Sequence, residues 1–315
     1  MKNLIKIKGD ASIRNFYRKK NNRNTSIIVV AKKEKFKNLL VYDAINKVLN
    51  KNKILAPSLY KENYKKNYIE IQDFGNETIF TKLNKKKINK FKYFKKIINL
   101  LNKVQAIRNR KIKNFKNKDY TIPKYDKKIL INEANLFCDW YVKKNFSEFT
   151  NDKFKKEFKK IIKRLANNLK LKNNFFVHRD FHVSNLMVVN NQIGLIDSQD
   201  ALIGNRAYDL ASLIDDVRFK TSKSFKKKVF NFYVKRQKKL DLKKFKNDFE
   251  ILSILRNLKV IGIFTRLALR DGKKNYLKMI PYTWKLIKTR INENEKFQDL
   301  KKLLKKNLKI KLNEN

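Results

Sequence analysis

One cysteine, Cys138, and two histidines, His178 and His182, occur in the 315-residue chain. A disulfide framework needs more than one cysteine, and Cys/His zinc modules need four ligands, so both are excluded. Glycine is scarce at six residues, and none of them forms G-x-G-x-x-G. No apolar run approaches the 18 residues that read as a membrane span, so no membrane insertion is expected. The amino-terminal MKNLIKIKGD has no apolar stretch long enough for a secretory leader. These absences predict a soluble protein of a reducing cytoplasm.

Acidic residues are also few, 28 against 79 Lys and Arg, for a net charge of +51. Such a balance favours anionic partners such as nucleic acids, membrane surfaces or phosphates. The lysines are spread along the whole chain, however, among abundant Asn, Ile and Phe. AT-rich codons encode that group, so codon composition is a sufficient cause and no specific nucleic-acid partner is expected. Hydrophobic residues still make up 42% and aromatics 12%. General disorder is excluded, and the length suits two domains or two lobes.

Strand-like patterns dominate the start. SIIVVA (26–31) is a β-branched run and YIEIQ (68–72) alternates. Between them Leu39, Leu40, Ala44, Ile45, Val48 and Leu49 form a helical stripe over 36–50. Helical patterns follow over 88–107, 130–146, 153–170, 244–270 and 295–311, while 111–127 reads as a basic loop. Short β-like runs return in 175–200, and Pro281 suits the first turn of a helix. The expectation is an α+β chain, a small antiparallel-sheet lobe with one helix over 1–75 and a larger, mainly helical lobe over 76–315.

Both histidines lie in His178-Arg179-Asp180-Phe181-His182-Val183-Ser184-Asn185. That octapeptide fits H-R-D-x-x-x-x-N, the catalytic loop of protein-kinase-like phosphotransferases. After it come Leu186–Val189, Asn190-Asn191-Gln192 and Ile193–Ile196, then Asp197. A three-residue hairpin loop centred on Asn191 places Asn185 opposite Asp197, beside Asp180. An amide oxygen and a carboxylate so placed suit Mg²⁺ on ATP phosphates. Asp180 would orient an acceptor hydroxyl and accept its proton. His178 is expected to be structural, and His182 is either a substrate contact or packing. Ser198-Gln199 follows Asp197, so there is no D-F-G, and no A-P-E occurs. A protein kinase is therefore not expected.

On these residues the chain resembles the aminoglycoside/choline phosphotransferase superfamily, and within it the bacterial anomeric N-acetylmuramate/N-acetylglucosamine 1-kinases. GDASIRNFYR (9–18) is similar to that group's nucleotide loop. NEANLFCDWY (132–141) resembles its E-x-x-L-F-x-x-W-Y helix. HRDFHVSNLM (178–187) with IDSQDALIGNRAYDLASLIDD (196–216) carries the strongest likeness. LRNLKVIGIFTRLALRDGKKNYL (255–277) resembles its substrate-lobe helices. The resemblance implies a bilobal kinase-like fold, ATP and Mg²⁺, and phosphorylation of a small molecule. It implies Asp180 as base and Asn185 and Asp197 as metal ligands.

Further positions follow from the same resemblance. Asp10, Ala11 and Ser12 would meet the phosphates through backbone N–H groups, with an ordinary turn as the alternative. Lys32 or Lys33 would pair with phosphate. Gln72-Asp73-Phe74 would be the interlobe hinge, reading adenine through its backbone. Asp209 would tie its helix to the catalytic loop or cap it, and Asp200 would support the site or only turn the chain. Arg256, Lys259, Arg266 and Arg270 would reach an anionic substrate or form a solvated basic face. Cys138, Trp140 and Trp284 are expected to be packing. The acceptor stays open between an amino sugar and an aminoglycoside or amino alcohol, and oligomeric state is not legible. A reading of another class, a basic nucleic-acid-binding protein on a kinase scaffold, leaves the three intact site residues without a purpose.

Overall fold

Alternation in SIIVVA and YIEIQ puts aliphatic side chains on one face of each segment. The computed structural model, which describes residues 4–7, 14–21, 24–31, 37–145 and 148–308, makes both segments neighbouring strands. The chain forms two compact units, each from two stretches. Met1–Lys124 joins Asn174–Ile203, and Tyr125–Asn173 joins Gly204–Asn315. These units do not coincide with a division after residue 75, because the motif region 174–203 belongs with the sheet.

In the first unit, β1 (Leu4–Ile7), β2 (Asn15–Asn21), β3 (Asn24–Val30), β4 (Leu59–Asn63) and β5 (Tyr68–Gln72) form one sheet in the order β1-β2-β3-β5-β4. All its pairings are antiparallel. Ile27 opposes Ile71 and Val29 opposes Ile69. Helix α1 (Lys37–Lys51) follows β3 in the chain and lays Leu39 and Tyr42 into the same core. On the other face Glu70 opposes Ile28 and is buried. It accepts from Ser26 Oγ at 2.6 Å and from Lys19 Nζ at 3.2 Å. Burial alone would raise this carboxyl, but those donors hold it below its ordinary value.

Helices α2 (Ile79–Leu83) and α3 (Lys90–Ala106) follow, the second capped by Asn89. The expected loop at 111–127 instead contains a hairpin of β6 (Lys111–Lys113) and β7 (Asp119–Thr121). Asn114 closes it, accepting from Lys116 N–H at 2.9 Å, with Asn117 at φ +55°. Such an Asx turn does its work through one side chain, which the surrounding lysines obscure in the sequence. Strands β8 (Phe175–Val177), β9 (Leu186–Val189), β10 (Gln192–Leu195) and β11 (Leu202–Gly204) form two ribbons, β9 with β10 and β8 with β11.

The second unit is helical. Asp126 caps α4 (Lys127–Leu136), which passes through a π-helical segment, Phe137–Val142, into α5 (Lys143–Asn145). The expected helix 130–146 is thus interrupted, and α6 (Glu148–Asn167) comes next. Then come α7 (Ala207–Ile214), α8 (Lys223–Lys235), α9 (Leu242–Arg270), α10 (Ile280–Glu293) and α11 (Gln298–Leu308). Pro281 takes the first turn of α10. Helix α9 approaches the π segment closely at Gly262, where a Cβ would lie 2.3 Å from the Leu136 carbonyl carbon. Phe137 stacks on Tyr141 and meets Trp284 edge-on. Cys138 is fully buried there, and burial pushes its thiol pKa up. Among the described residues no helix is long and apolar enough to cross a membrane.

Candidate active site

All the described residues of the kinase-like motif sit in the first unit. Beyond β8, His178 is fully buried and its Nε2–H donates to the Ile196 carbonyl at 3.1 Å. Burial lowers this imidazole to about 4, so it is neutral. Arg179 adopts φ +76°, a left-handed conformation uncommon for a side chain of this size. Its guanidinium donates to the Asp200 carbonyl at 3.2 Å and lies 3.8 Å from the Asp200 carboxylate.

Asp180 follows, partly exposed, and its carbonyl organises the loop. It accepts from His182 N–H at 3.0 Å and from Asn185 Nδ2 at 3.0 Å. The Asn185 NH₂ group is thereby tied to the loop, which orients its oxygen away from that carbonyl. His182 is buried and stands 3.4 Å from the same Nδ2 through its Nε2. One 3-10 turn, Val183–Asn185, then delivers the chain into β9.

The hairpin register differs from the expected one. Val189 opposes Gln192 and Leu186 opposes Leu195, so the loop has two residues, Asn190 and Asn191. Both are left-handed, at φ +45° and +62°. Two successive left-handed residues make the tight turn whose twist matches the strands, and Asn tolerates that geometry. Continued along the ladder, the register sets Asn185 against Ile196, whose N–H donates to the Asn185 carbonyl at 3.1 Å. Asp197 is one residue further on, at φ +61°. Packing around it pushes its carboxyl up from its ordinary value although part of the side chain stays exposed, with Arg14 opposing the shift, Asp180 adding to it and Gln199 opposing it.

The turn that carries Asp197 is anchored by residues the sequence did not single out. Ser198 Oγ, fully buried, donates to Asn46 Oδ1 of α1 at 2.6 Å, and Asn46 Nδ2 donates to the Pro57 carbonyl at 3.0 Å. Gln199 Nε2 reaches Asp197 Oδ1 at 3.0 Å and Asp200 Oδ2 at 2.8 Å. Arg14, just before β2, lies with Nη2 3.4 Å from Asp197 Oδ1.

At the expected hinge, Gln72 is the last residue of β5 and its N–H donates to the Ser58 carbonyl at 2.8 Å. That N–H is thus engaged within the unit. The Asp73 side chain is also engaged. Its carboxylate takes a two-point grip from Arg18 of β2, at 2.5 and 3.0 Å, and accepts from Gly75 N–H at 2.8 Å. Burial alone would raise this carboxyl, but Arg18 and the Gly75 amide hold it below its ordinary value. The Phe74 ring packs against β10, where a Cβ at Gly194 would stand 2.7 Å from it. Val188 N–H donates to the Glu77 carbonyl and Leu195 N–H to the Leu55 carbonyl, each at 2.8 Å. The hairpin is therefore fixed to the hinge segment and to the approach to β4.

Asp10, Ala11, Ser12, Lys32 and Lys33 lie outside the described residues. The remaining expected positions are in the second unit. Asp209 is fully buried in the first turn of α7 and is not its cap; Asn205 Oδ1 accepts from Ala207 N–H at 3.0 Å there. Lys259 is no solvated face, being 9% exposed and paired with Glu133 at 2.9 Å. The Tyr125 hydroxyl donates to the same carboxylate. Arg256 is buried, Arg266 is half-buried, and Arg270 is exposed and paired with Asp271. A cavity of about 590 Å³ among α8, α9 and α10 holds none of the expected site residues.

Comparison with known proteins gives consistent results. The sequence pattern of the phosphotransferase enzyme family matches residues 3–240. A Neisseria meningitidis protein named N-acetylmuramate/N-acetylglucosamine kinase is 34% identical over 166 residues, 51% of this chain and 50% of that protein. The match thus spans about half the length of that relative. A Pseudomonas putida protein of the same name is 25% identical over 96% of this chain and 87% of its own. Among solved structures, a Plasmodium vivax ethanolamine kinase shares the fold with a TM-score of 0.62 at 14% identity, covering 90% of this chain and 81% of that one.

Proposed function

The chain belongs to the phosphotransferase enzyme family, and we propose that it is a kinase moving the γ-phosphoryl group of ATP to a hydroxyl of a small molecule. The acceptor we propose is an amino sugar of the N-acetylmuramate/N-acetylglucosamine type, phosphorylated at its anomeric hydroxyl. Its setting would be cell-wall recycling in the cytoplasm. The observation that carries the reading is the arrangement around the Asp180 carbonyl. One atom fixes both the loop and the Asn185 amide, while the β9–β10 hairpin sets Ile196 against Asn185, with Asp197 one residue further on.

In this reading Asp180 orients the acceptor hydroxyl and takes its proton as the new bond forms. Asn185 and Asp197 would hold Mg²⁺, and their oxygen-only donor set fits a hard cation that takes few protein ligands. When bound, Mg²⁺ would neutralise charge on the phosphate oxygens. Among the described residues no cluster of three or more His, Cys, Asp or Glu could hold a metal. The hinge backbone beyond Gln72 would meet the adenine edge. His178 keeps the loop in place by holding the Ile196 carbonyl next to Asp197. Lys259 and Arg266 remain proposed as the side that receives an anionic group on the sugar. A carboxylate-bearing acceptor also suits a chain of net charge +51 better than a cationic amino alcohol does.

The test is a turnover screen with ATP and Mg²⁺ over amino sugars, aminoglycosides and choline-like alcohols. We expect the acetylated amino sugars to be consumed. Asp180→Asn should lose about 10²–10⁴-fold in kcat while keeping nucleotide binding, as expected for loss of a general base. Asp197→Asn should be more damaging than Asn185→Asp, and raised Mg²⁺ should partly restore it. Near-wild-type turnover in Asp180→Asn would end the assignment, and turnover of cationic acceptors alone would move the substrate to aminoglycosides or amino alcohols.

A further inference from the structure

We infer that Arg14 is a phosphate-binding residue, the protein cation that meets the polyphosphate of ATP beside Asp197. The inference rests on the kinase reading above and adds a residue to it. A nucleoside triphosphate brings several negative charges to the oxygens that Asn185 and Asp197 would serve, and phosphoryl transfer depends on neutralising them. The usual place to seek such a cation is a lysine after β3. Lys32 and Lys33 there lie outside the described residues, and the geometry points to the residue that precedes β2 as a phosphate contact in its own right.

Arg14 stands out in a chain of 79 Lys and Arg because it is only 7% exposed. Two residues of α1, four apart and so on one helix face, hold its guanidinium. Asn38 Oδ1 accepts from Nη1 at 2.8 Å, and the Tyr42 ring lies 5.9 Å below Cζ. Tyr42 is itself buried, and its phenol is pushed up to about 12 by that burial, so it stays neutral under the cation. The guanidinium is thus a fixed fork, unlike a mobile surface ammonium.

Its contact with Asp197 is loose. At 3.4 Å the pair is well beyond the ~2.8 Å of a closed charge-assisted bond. The Asp197 side chain retains 39% of its surface, so a ligand can reach it, while that of Arg14 retains 6%. A planar fork with five donors matches phosphate oxygens two at a time. An anion arriving at Asp197 under a divalent cation would therefore meet Arg14 already aimed and already desolvated.

Calorimetric titration of the full chain with ATP·Mg²⁺, ADP and adenosine separates a phosphate contact from a merely structural one. Arg14→Gln should weaken ATP and ADP by about 10- to 100-fold, the range for a charged hydrogen bond. Adenosine, which has no phosphate, should change less than about twofold. Arg14→Lys keeps the charge without the fork and should recover part of the loss. It carries the same test should the glutamine variant fail to fold. An equal loss for all three ligands, or unchanged ATP and ADP affinity, would overturn the inference. A wild-type chain that binds no ATP would instead sink the kinase reading on which it depends.

Discussion

At His178 a fully buried imidazole donates to the Ile196 carbonyl and has no room to charge. Burial lowers its pKa from 6.5 to about 4. As pH falls through 6.5 the unfolded chain takes up this proton and the folded chain does not. Stability is then lost progressively down to about 4, on the order of 3 kcal/mol over the window. His178→Gln, which retains an N–H donor, should flatten the fall in melting temperature between those pH values. Parallel curves for the two proteins would show that this residue does not set the acid limit. Legibility differed sharply between residues. Asp180, Asn185 and Asp197 stand out as candidates in the sequence through the H-R-D-x-x-x-x-N spacing and the hairpin after it, although the register sets Asn185 against Ile196 rather than Asp197. Arg14 does not, since one arginine among so many basic residues carries no signal until α1 is seen around it. The Ser198–Asn46 bond joins residues 152 apart, and no local pattern announces it.

Elements were easiest to read where periodicity was strong. YIEIQ alternates and became β5 with the expected ends, and the stripe over 36–50 became α1. The β9–β10 hairpin shows the opposite case, because its existence was legible but its register was not. Asn190, Asn191 and Gln192 are all plausible turn residues, and only backbone angles show that the first two alone form the loop. Asn191→Val should cost about 1–2 kcal/mol through the left-handed penalty, while Asn191→Gly should be neutral or slightly stabilising. Denaturant midpoints of both variants test this, and equal midpoints would contradict the turn geometry. The π segment had no sequence signal either, because its partner is a missing side chain on a distant helix. Gly262→Ala would put a Cβ 2.3 to 2.6 Å from backbone atoms of Leu136 and Phe137, which cannot swing aside. Strain of that kind costs about 1–3 kcal/mol or more. A wild-type midpoint in that variant would mean α9 and the π segment can separate freely.

For the molecule as a whole the dominant number is +51. Many carboxylates are already bound to cations: Asp215, for one, is fully buried among Arg290, Lys226 and Ser253 and is held below its ordinary pKa despite that burial. The surplus is therefore lysine and arginine facing solvent, with no single stripe of sequence behind it. Duplex DNA should bind weakly, with Kd around 10⁻⁴–10⁻⁶ M at physiological salt, without sequence preference and with a steep loss as salt rises. Fluorescence anisotropy on unrelated duplexes over a salt series would show it, and tight selective binding would replace the compositional explanation with a functional one. The interleaving of the two units has a further consequence for biosynthesis. The first unit needs residues 174–203, and the second needs 204–315 to join 125–173. On a ribosome the sheet emerges early but its hairpin arrives only after the intervening helices, which must wait unaccompanied for partners made later still. The strand-bearing unit is thus completed first even though it closes across a helical insertion, and a nascent chain halted before residue 203 has finished neither unit.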